Sequence, residues 1–260
     1  MKLALADKDP AVRKAALGVL PGLAMSSAAK VQQLSSLIRS GSLAERQGAF
    51  EVLGTLRTAE SRELLGQFLD EFEAGKIAPE VQVDLVDAAQ VDGFPAFVSR
   101  LDAFRKGRSA ETLALALRPA LRTGGDAQRG VQTIMGNPAA ECTRCHSLEG
   151  TNVGPNLAKI GTTLSRDQIV EALLEPSARI APGFGMVTLT LRKGDKVVGT
   201  LRDETPTHVV LVEGTPPVER RVAKTDIADR SNPVSPMPPY GLILKAREIR
   251  DIVEFLSTLK

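Results

Sequence analysis

Apolar positions in the first 120 residues recur at the three- and four-residue spacing of an amphipathic helix, and they predict a helical region throughout. The stretch Val12-Arg13-Lys14-Ala15-Ala16-Leu17-Gly18-Val19-Leu20-Pro21-Gly22-Leu23 aligns, 33 residues later, with Glu45-Arg46-Gln47-Gly48-Ala49-Phe50-Glu51-Val52-Leu53-Gly54-Thr55-Leu56. Arginine, small residue, apolar pair and closing leucine repeat in register. A looser copy begins near Pro79-Glu80-Val81, with Val83, Leu85 and Val86 facing inward. A period of this length marks stacked helical pairs, each burying its apolar face against the next. The alternative is an α-helical domain whose repeats are accidental. Phe50, Phe68, Phe72, Phe94, Phe97 and Phe104 fall at core-like spacing and are assigned to packing.

The pattern breaks at Thr123-Gly124-Gly125-Asp126, which divides the chain into domains 1–122 and 123–260. Asp126 can cap a short helix from Ala127 to about Met135. Ser165 and Gln168 are spaced as a capping box opening a helix that Pro176 ends. The texture then changes. Val187, Leu189 and Leu191 alternate with threonines, Lys193-Gly194-Asp195 is a turn, and Val197–Leu201 returns as a second strand. His208–Val212 and Arg220–Ala223 read as two more, so a small antiparallel β insertion is expected over about 185–225. A closing helix from about Ala246 to Leu259 carries an apolar stripe of Ile249, Ile252, Val253, Phe255 and Leu256.

Composition narrows the function. With 43% hydrophobic and 25% charged residues, the chain suits a globular protein with a sizeable core. Its 33 Lys+Arg against 31 Asp+Glu make neither nucleic acid nor an anionic membrane the expected partner. No apolar run approaches the ~20 residues that span a bilayer. The start, Met1 to Pro10, is too short and too soon charged for a secretory signal, and reads as the first turns of a helical unit in a mature segment or excised piece.

The chain has only two cysteines and two histidines, and three of these four fall in Cys142-Thr143-Arg144-Cys145-His146. A structural disulfide framework is excluded. Two thiols separated by two residues can form thioethers with neighbouring vinyl groups on one porphyrin edge, and His146 follows where its imidazole can turn under the iron. One covalent haem c is therefore expected. Two alternatives stand beside it. A thioredoxin-like dithiol wants a strand before the motif and a helix from its first cysteine, whereas here a helix precedes and the loop Ser147–Gly154 follows. A zinc site needs four ligands, and only His208, 62 residues on, remains to join carboxylates.

A sixth iron ligand must come from Met1, Met25, Met135, Met186, Met237 or His208. Met237 is preferred, because Pro233-Val234-Ser235-Pro236-Met237-Pro238-Pro239-Tyr240 has no helical or strand period and its prolines stiffen the presentation of the thioether. Met186 falls on the polar face of its strand, and His208 is expected to point outward or pack in the sheet. A methionine opposite histidine raises the reduction potential and leaves no open coordination position, which favours electron transfer over peroxide chemistry. Tyr240 is a candidate to hydrogen-bond near a haem propionate.

Two resemblances rest on these residues. Asp9-Pro10-x-Val12-Arg13 resembles the start of a HEAT-repeat helix. Residues 125–260 resemble the bacterial haem-binding c-type cytochrome domain found behind HEAT repeats and a sugar-dehydrogenase-like β-propeller. The matching pieces, in order, are Cys142-Thr143-Arg144-Cys145-His146, Val153-Gly154-Pro155-Asn156-Leu157, the helix through Ile169 to Pro176, Ile180-Ala181-Pro182-Gly183-Phe184, Thr225-Asp226-Ile227 and Ser235-Pro236-Met237-Pro238. The chain departs from that pattern at Pro239-Tyr240, where an acidic residue is common, and it has no propeller.

The resemblance implies a three-helix cytochrome c core with the β segment inserted before the methionine loop, and a Pro155 carbonyl that accepts the free N–H of His146. The expected fold is mainly α, a HEAT-like α-solenoid followed by a cytochrome c helical domain with a β insertion. The expected role is that of a monohaem electron carrier, not an enzyme in itself, serving a partner or fused dehydrogenase. Its helical repeats would be a protein-interaction surface. Haem c attachment places such a protein in the periplasm or otherwise outside the cytoplasm. A peroxidase-like enzyme, or a haem-based sensor or scaffold, would instead need an exchangeable sixth position.

Overall fold

The computed structural model of the chain describes residues 7–150, 153–214 and 217–260, so Met1 and the Thr151-Asn152 pair of the loop after His146 lie outside the described residues. The described chain is mainly helical, with one small antiparallel sheet. It folds as two compact units, Met1–Gly130 with Leu244–Phe255, and Val131–Ile243 with Leu256–Lys260.

The first unit contains α1 (Pro10–Val19), α2 (Ser27–Ser40), α3 (Leu43–Leu56), α4 (Ala59–Glu73), α5 (Pro79–Asp92), α6 (Pro95–Gly107) and the short α7 (Leu113–Ala116). Local chemistry sets their starts. Ser42 with Glu45 and Thr58 with Ser61 form reciprocal caps over the first turns of α3 and α4. Pro79 and Pro95 open α5 and α6 at a position where the missing N–H costs no hydrogen bond. The three sequence copies occupy α1, α3 and α5. Helix α3 packs on both α1 and α5, while α2 packs on α4. Phe50 and Phe68 meet edge-on in this core with ring centroids 5.1 Å apart. Phe94, just before α6, packs its ring edge-on against the buried Phe97 with centroids 5.3 Å apart; it is 37% exposed and lies beneath the Arg62 guanidinium.

Residues Leu244–Phe255 complete this unit. They include most of the closing helix, α12 (Ala246–Thr258), on which Ile249, Ile252 and Val253 are buried, as the stripe requires. Arg250 is buried as well, fully. Its two terminal nitrogens donate to the Asp84 carboxylate of α5 at 2.6 and 3.0 Å. Helix α8 (Ala127–Gly136) contributes Ala127–Gly130, and Gly130 lies directly against α12. A Cβ there would stand 2.9 Å from Phe255 Cβ and closer still to the Asp251 carbonyl, so no larger residue permits this approach.

The second unit holds α9 (Cys142–Cys145), α10 (Ile160–Thr163), α11 (Arg166–Leu174) and strands β1 (Met186–Leu191), β2 (Lys196–Glu204), β3 (His208–Glu213), β4 (Val218–Ala223) and β5 (Ile227–Arg230). The sheet order is β4-β3-β2-β1-β5, antiparallel throughout. One face buries Val187, Leu189, Leu191, Val197, Val209, Leu211 and Val222. Four of the strands match the sequence expectation, the first of them from its alternation. The fifth, Ile227–Arg230, has two exposed central residues and pairs with β1 across a bulge, so its sequence carries no alternating signal.

Candidate haem attachment site

The segment from Asn137 to Leu157 builds the site. The Asn137 side chain accepts the backbone N–H groups of Ala139 and Ala140 at 2.9 and 3.3 Å, closing a turn beyond α8. Glu141 then takes a left-handed conformation with φ 44°, uncommon for a non-glycine residue, and redirects the chain into α9. The motif is thus a single helical turn, with Cys142 and Cys145 at its ends. This i, i+3 spacing puts both side chains on one side of the turn. Both thiols are free, Cys142 buried and Cys145 exposed. Burial holds the Cys142 thiol above its ordinary range, with the neighbouring Tyr240 hydroxyl acting the other way.

His146 leaves the turn in an extended conformation, its N–H still bonded to the Cys142 carbonyl at 2.9 Å. Two backbone hydrogen bonds fold the following loop back on it, Gly154 N–H to Cys145 O at 2.7 Å and Leu157 N–H to Ser147 O at 2.8 Å. They bring the Pro155 carbonyl 2.8 Å from His146 Nδ1. A carbonyl can only accept, so the proton sits on Nδ1 and the Nε2 lone pair is left available. Gly154 makes this possible. A Cβ at that position would meet Cys145 O at 2.9 Å and His146 Cε1 and Nδ1 at 3.1 and 3.2 Å. Gly154→Ala is accordingly expected to push the ring off Pro155. The hydrogen-bonded Nδ1–H of His146, observed by NMR in the wild type, should then broaden into solvent exchange; an unshifted signal would show that the loop yields instead.

Met237 lies on a loop of the same unit and is half-buried. The loop is tied at its start by a two-bond bridge between Val234 and Met186 of β1, at 2.8 and 2.9 Å. The Ser235 N–H bonds the Ser177 hydroxyl at 3.1 Å, and the Met237 N–H bonds the Ser235 hydroxyl at 3.2 Å. Met186 therefore acts through its backbone, with its side chain off the buried face of β1. Met25 belongs to the first unit. Met135, on the last turn of α8, is 59% exposed. His208 begins β3, its Nδ1 2.8 Å from the Thr207 hydroxyl.

Tyr240 is buried, and its hydroxyl donates to the Ala140 carbonyl at 2.7 Å. Burial, with Cys142 alongside, pushes its phenol well above the ordinary tyrosine range, so it stays a donor. Gly154, Asn137 and Tyr240 all shape the site without having been singled out for these roles. A glycine before proline was a visible signal for the first, but nothing in the linear chain pairs residue 240 with residue 140.

The donor set fits a haem c. Two free thiols one turn apart, a histidine whose Nε2 has no hydrogen-bond partner among the described residues, and Gly154 close against its ring are present together. Among the described residues no group of three or more His, Cys, Asp and Glu side chains is gathered to hold a metal ion by itself. No helix is long and apolar enough to cross a membrane. Comparison with known proteins adds no relative here, since no family model matches the chain and no curated protein matches its sequence.

Proposed function

We propose that this chain is a monohaem c-type cytochrome that relays electrons between a redox partner such as a dehydrogenase and a downstream acceptor. The observation that carries the reading is the Nδ1–Pro155 bond of His146 beside the free Cys142 and Cys145. It orients the imidazole and makes Nε2 the basic atom, as an iron ligand needs.

In this reading Cys142 and Cys145 would anchor the haem by thioethers, and His146 and Met237 would ligate its iron. Pro155 holds the His146 ring by its carbonyl. Haem bound there would supply an iron that exchanges one electron between ferrous and ferric states. The chain supplies orientation and exclusion of other ligands. The proline-flanked loop tethered at Val234 and Ser235 presents Met237 in a restricted pose, which disfavours an open sixth position and hence peroxidase or gas-sensing chemistry. The packing of α1, α3 and α5 in succession supports a HEAT-like solenoid, read as a protein-interaction surface. Haem c attachment places the protein in the periplasm or another extracytoplasmic space.

The test is to produce the chain with a haem-c maturation system and extract it with acid–acetone. A c-type pyridine haemochrome that stays with the protein is the expected result. A colourless chain refutes the assignment, and carbon monoxide binding to the reduced protein at stoichiometric levels would move it to the sensor or enzyme class.

A further inference from the structure

The Met237 loop is pinned at both ends within its own unit. Upstream, Val234 is bridged to β1 and Ser235 to Ser177. Downstream, Tyr240 opens a 3-10 turn, Tyr240–Leu242, that packs on α11. Its hydroxyl reaches the Ala140 carbonyl, two residues before Cys142. Ala140, Cys142 and Tyr240 are all buried, so this hydrogen bond is sheltered from water and breaking it strands a carbonyl. Three residues of chain span at most about 11 Å. The bond therefore anchors the chain three residues beyond Met237 to the cysteine segment and bounds how far Met237 can move, and Pro238 and Pro239 stiffen the short link.

We propose that Tyr240 is a positioning residue, a clasp whose hydroxyl bond to Ala140 ties the Met237 loop to the cysteine segment and so governs how readily the sixth ligand lets go. This inference rests on the haem reading above. Asn137 serves the same clasp from the other side, because its side chain fixes the amides of Ala139 and Ala140 and with them the aim of the Ala140 carbonyl.

An external ligand measures the clasp. Imidazole binds the ferric iron only in the fraction of molecules whose Met237 has dissociated, so its apparent affinity scales with that fraction. In the full, haem-loaded chain, Tyr240→Phe keeps the ring and removes the hydroxyl. We expect imidazole half-saturation to fall by about three- to tenfold, the range one buried hydrogen bond supports, with the sulfur-to-iron charge-transfer band still present in the resting protein. Asn137→Ala, with the tyrosine intact, should shift half-saturation in the same direction by less. Val209→Ala trims the sheet core of the same unit; its melting temperature should fall while its imidazole half-saturation stays at the wild-type value. An unchanged half-saturation in Tyr240→Phe overturns the clasp, as does a shift of equal size in Val209→Ala. If Tyr240→Phe fails to mature, Asn137→Ala decides by the same criterion. A wild-type chain without covalent haem, or with haem but no charge-transfer band, overturns the underlying reading and the clasp falls with it.

Discussion

Replacing both Cys142 and Cys145 by alanine is expected to abolish covalent haem, giving a chain whose visible absorbance is lost on acid–acetone extraction. The two thiols stand at the ends of one helical turn, both free, and no other cysteine exists in the chain to replace either. Single replacements should be graded. Loss of the exposed Cys145 leaves the buried Cys142 to form one thioether, shifting the haemochrome band toward that of a haem with one unreacted vinyl group. Mass spectrometry of the intact chain checks the result directly, because a covalent haem adds its mass to the polypeptide. A double variant that still carries the added mass would remove the basis of the assignment. Met237→Ala belongs to the same series: haem should remain attached, the charge-transfer band should vanish, and the reduction potential should fall, since a thioether ligand favours the ferrous state.

Asp84→Ala is expected to be the most damaging substitution outside the proposed haem site. Arg250 has no side-chain exposure and Asp84 only 2%. Their bidentate pair is accompanied by Arg250 to Glu80 O at 3.2 Å, while Arg250 Nε has no partner among the described residues. Removing the carboxylate leaves a buried cation with the Glu80 carbonyl as its remaining hydrogen-bond partner and Asp87 as the nearby acid. Breaking such a pair from one side costs about 3–5 kcal/mol, which lowers the melting temperature by roughly 6–20 °C in a unit of this size. The double replacement Asp84→Leu with Arg250→Met should recover most of the loss, because it removes the unpaired charge as well as the pair. Differential scanning calorimetry of the three variants tests this. A single variant melting within two or three degrees of wild type would show that Arg250 finds water or another acid.

Much of the fold is legible from period alone. The three aligned copies become α1, α3 and α5, and α3 lies between the other two, because their equivalent apolar faces need one another. The first four strands are legible in the sequence, β1 from its strict alternation. β5 is not, because a short edge strand with polar central residues looks like a loop until a neighbour pairs with it. The closing helix shows the reverse problem. Its stripe marks Ile249, Ile252 and Val253, yet Arg250 and Asp251 are as deeply buried. Hydropathy reads them as solvent-facing. Only the presence of Asp84, and of the Asp126 N–H and Arg129 bonded to Asp251, makes their burial affordable.

The site divides in the same way. Cys142, Cys145 and His146 are adjacent in the chain, so their chemistry is local and the sequence by itself determined it: spacing within five residues survives any fold. Met237 could be preferred for its proline-rich surroundings, which restrict backbone torsions whatever the rest of the molecule does. What only the tertiary structure decided are the relations between distant residues. The Gly154 N–H reaches back to Cys145 and sets Pro155 against the His146 ring. Tyr240 crosses a hundred residues of sequence to donate to Ala140. These contacts follow from loop closure and packing, which pair groups by shape and hydrogen-bonding need, and a linear pattern encodes neither.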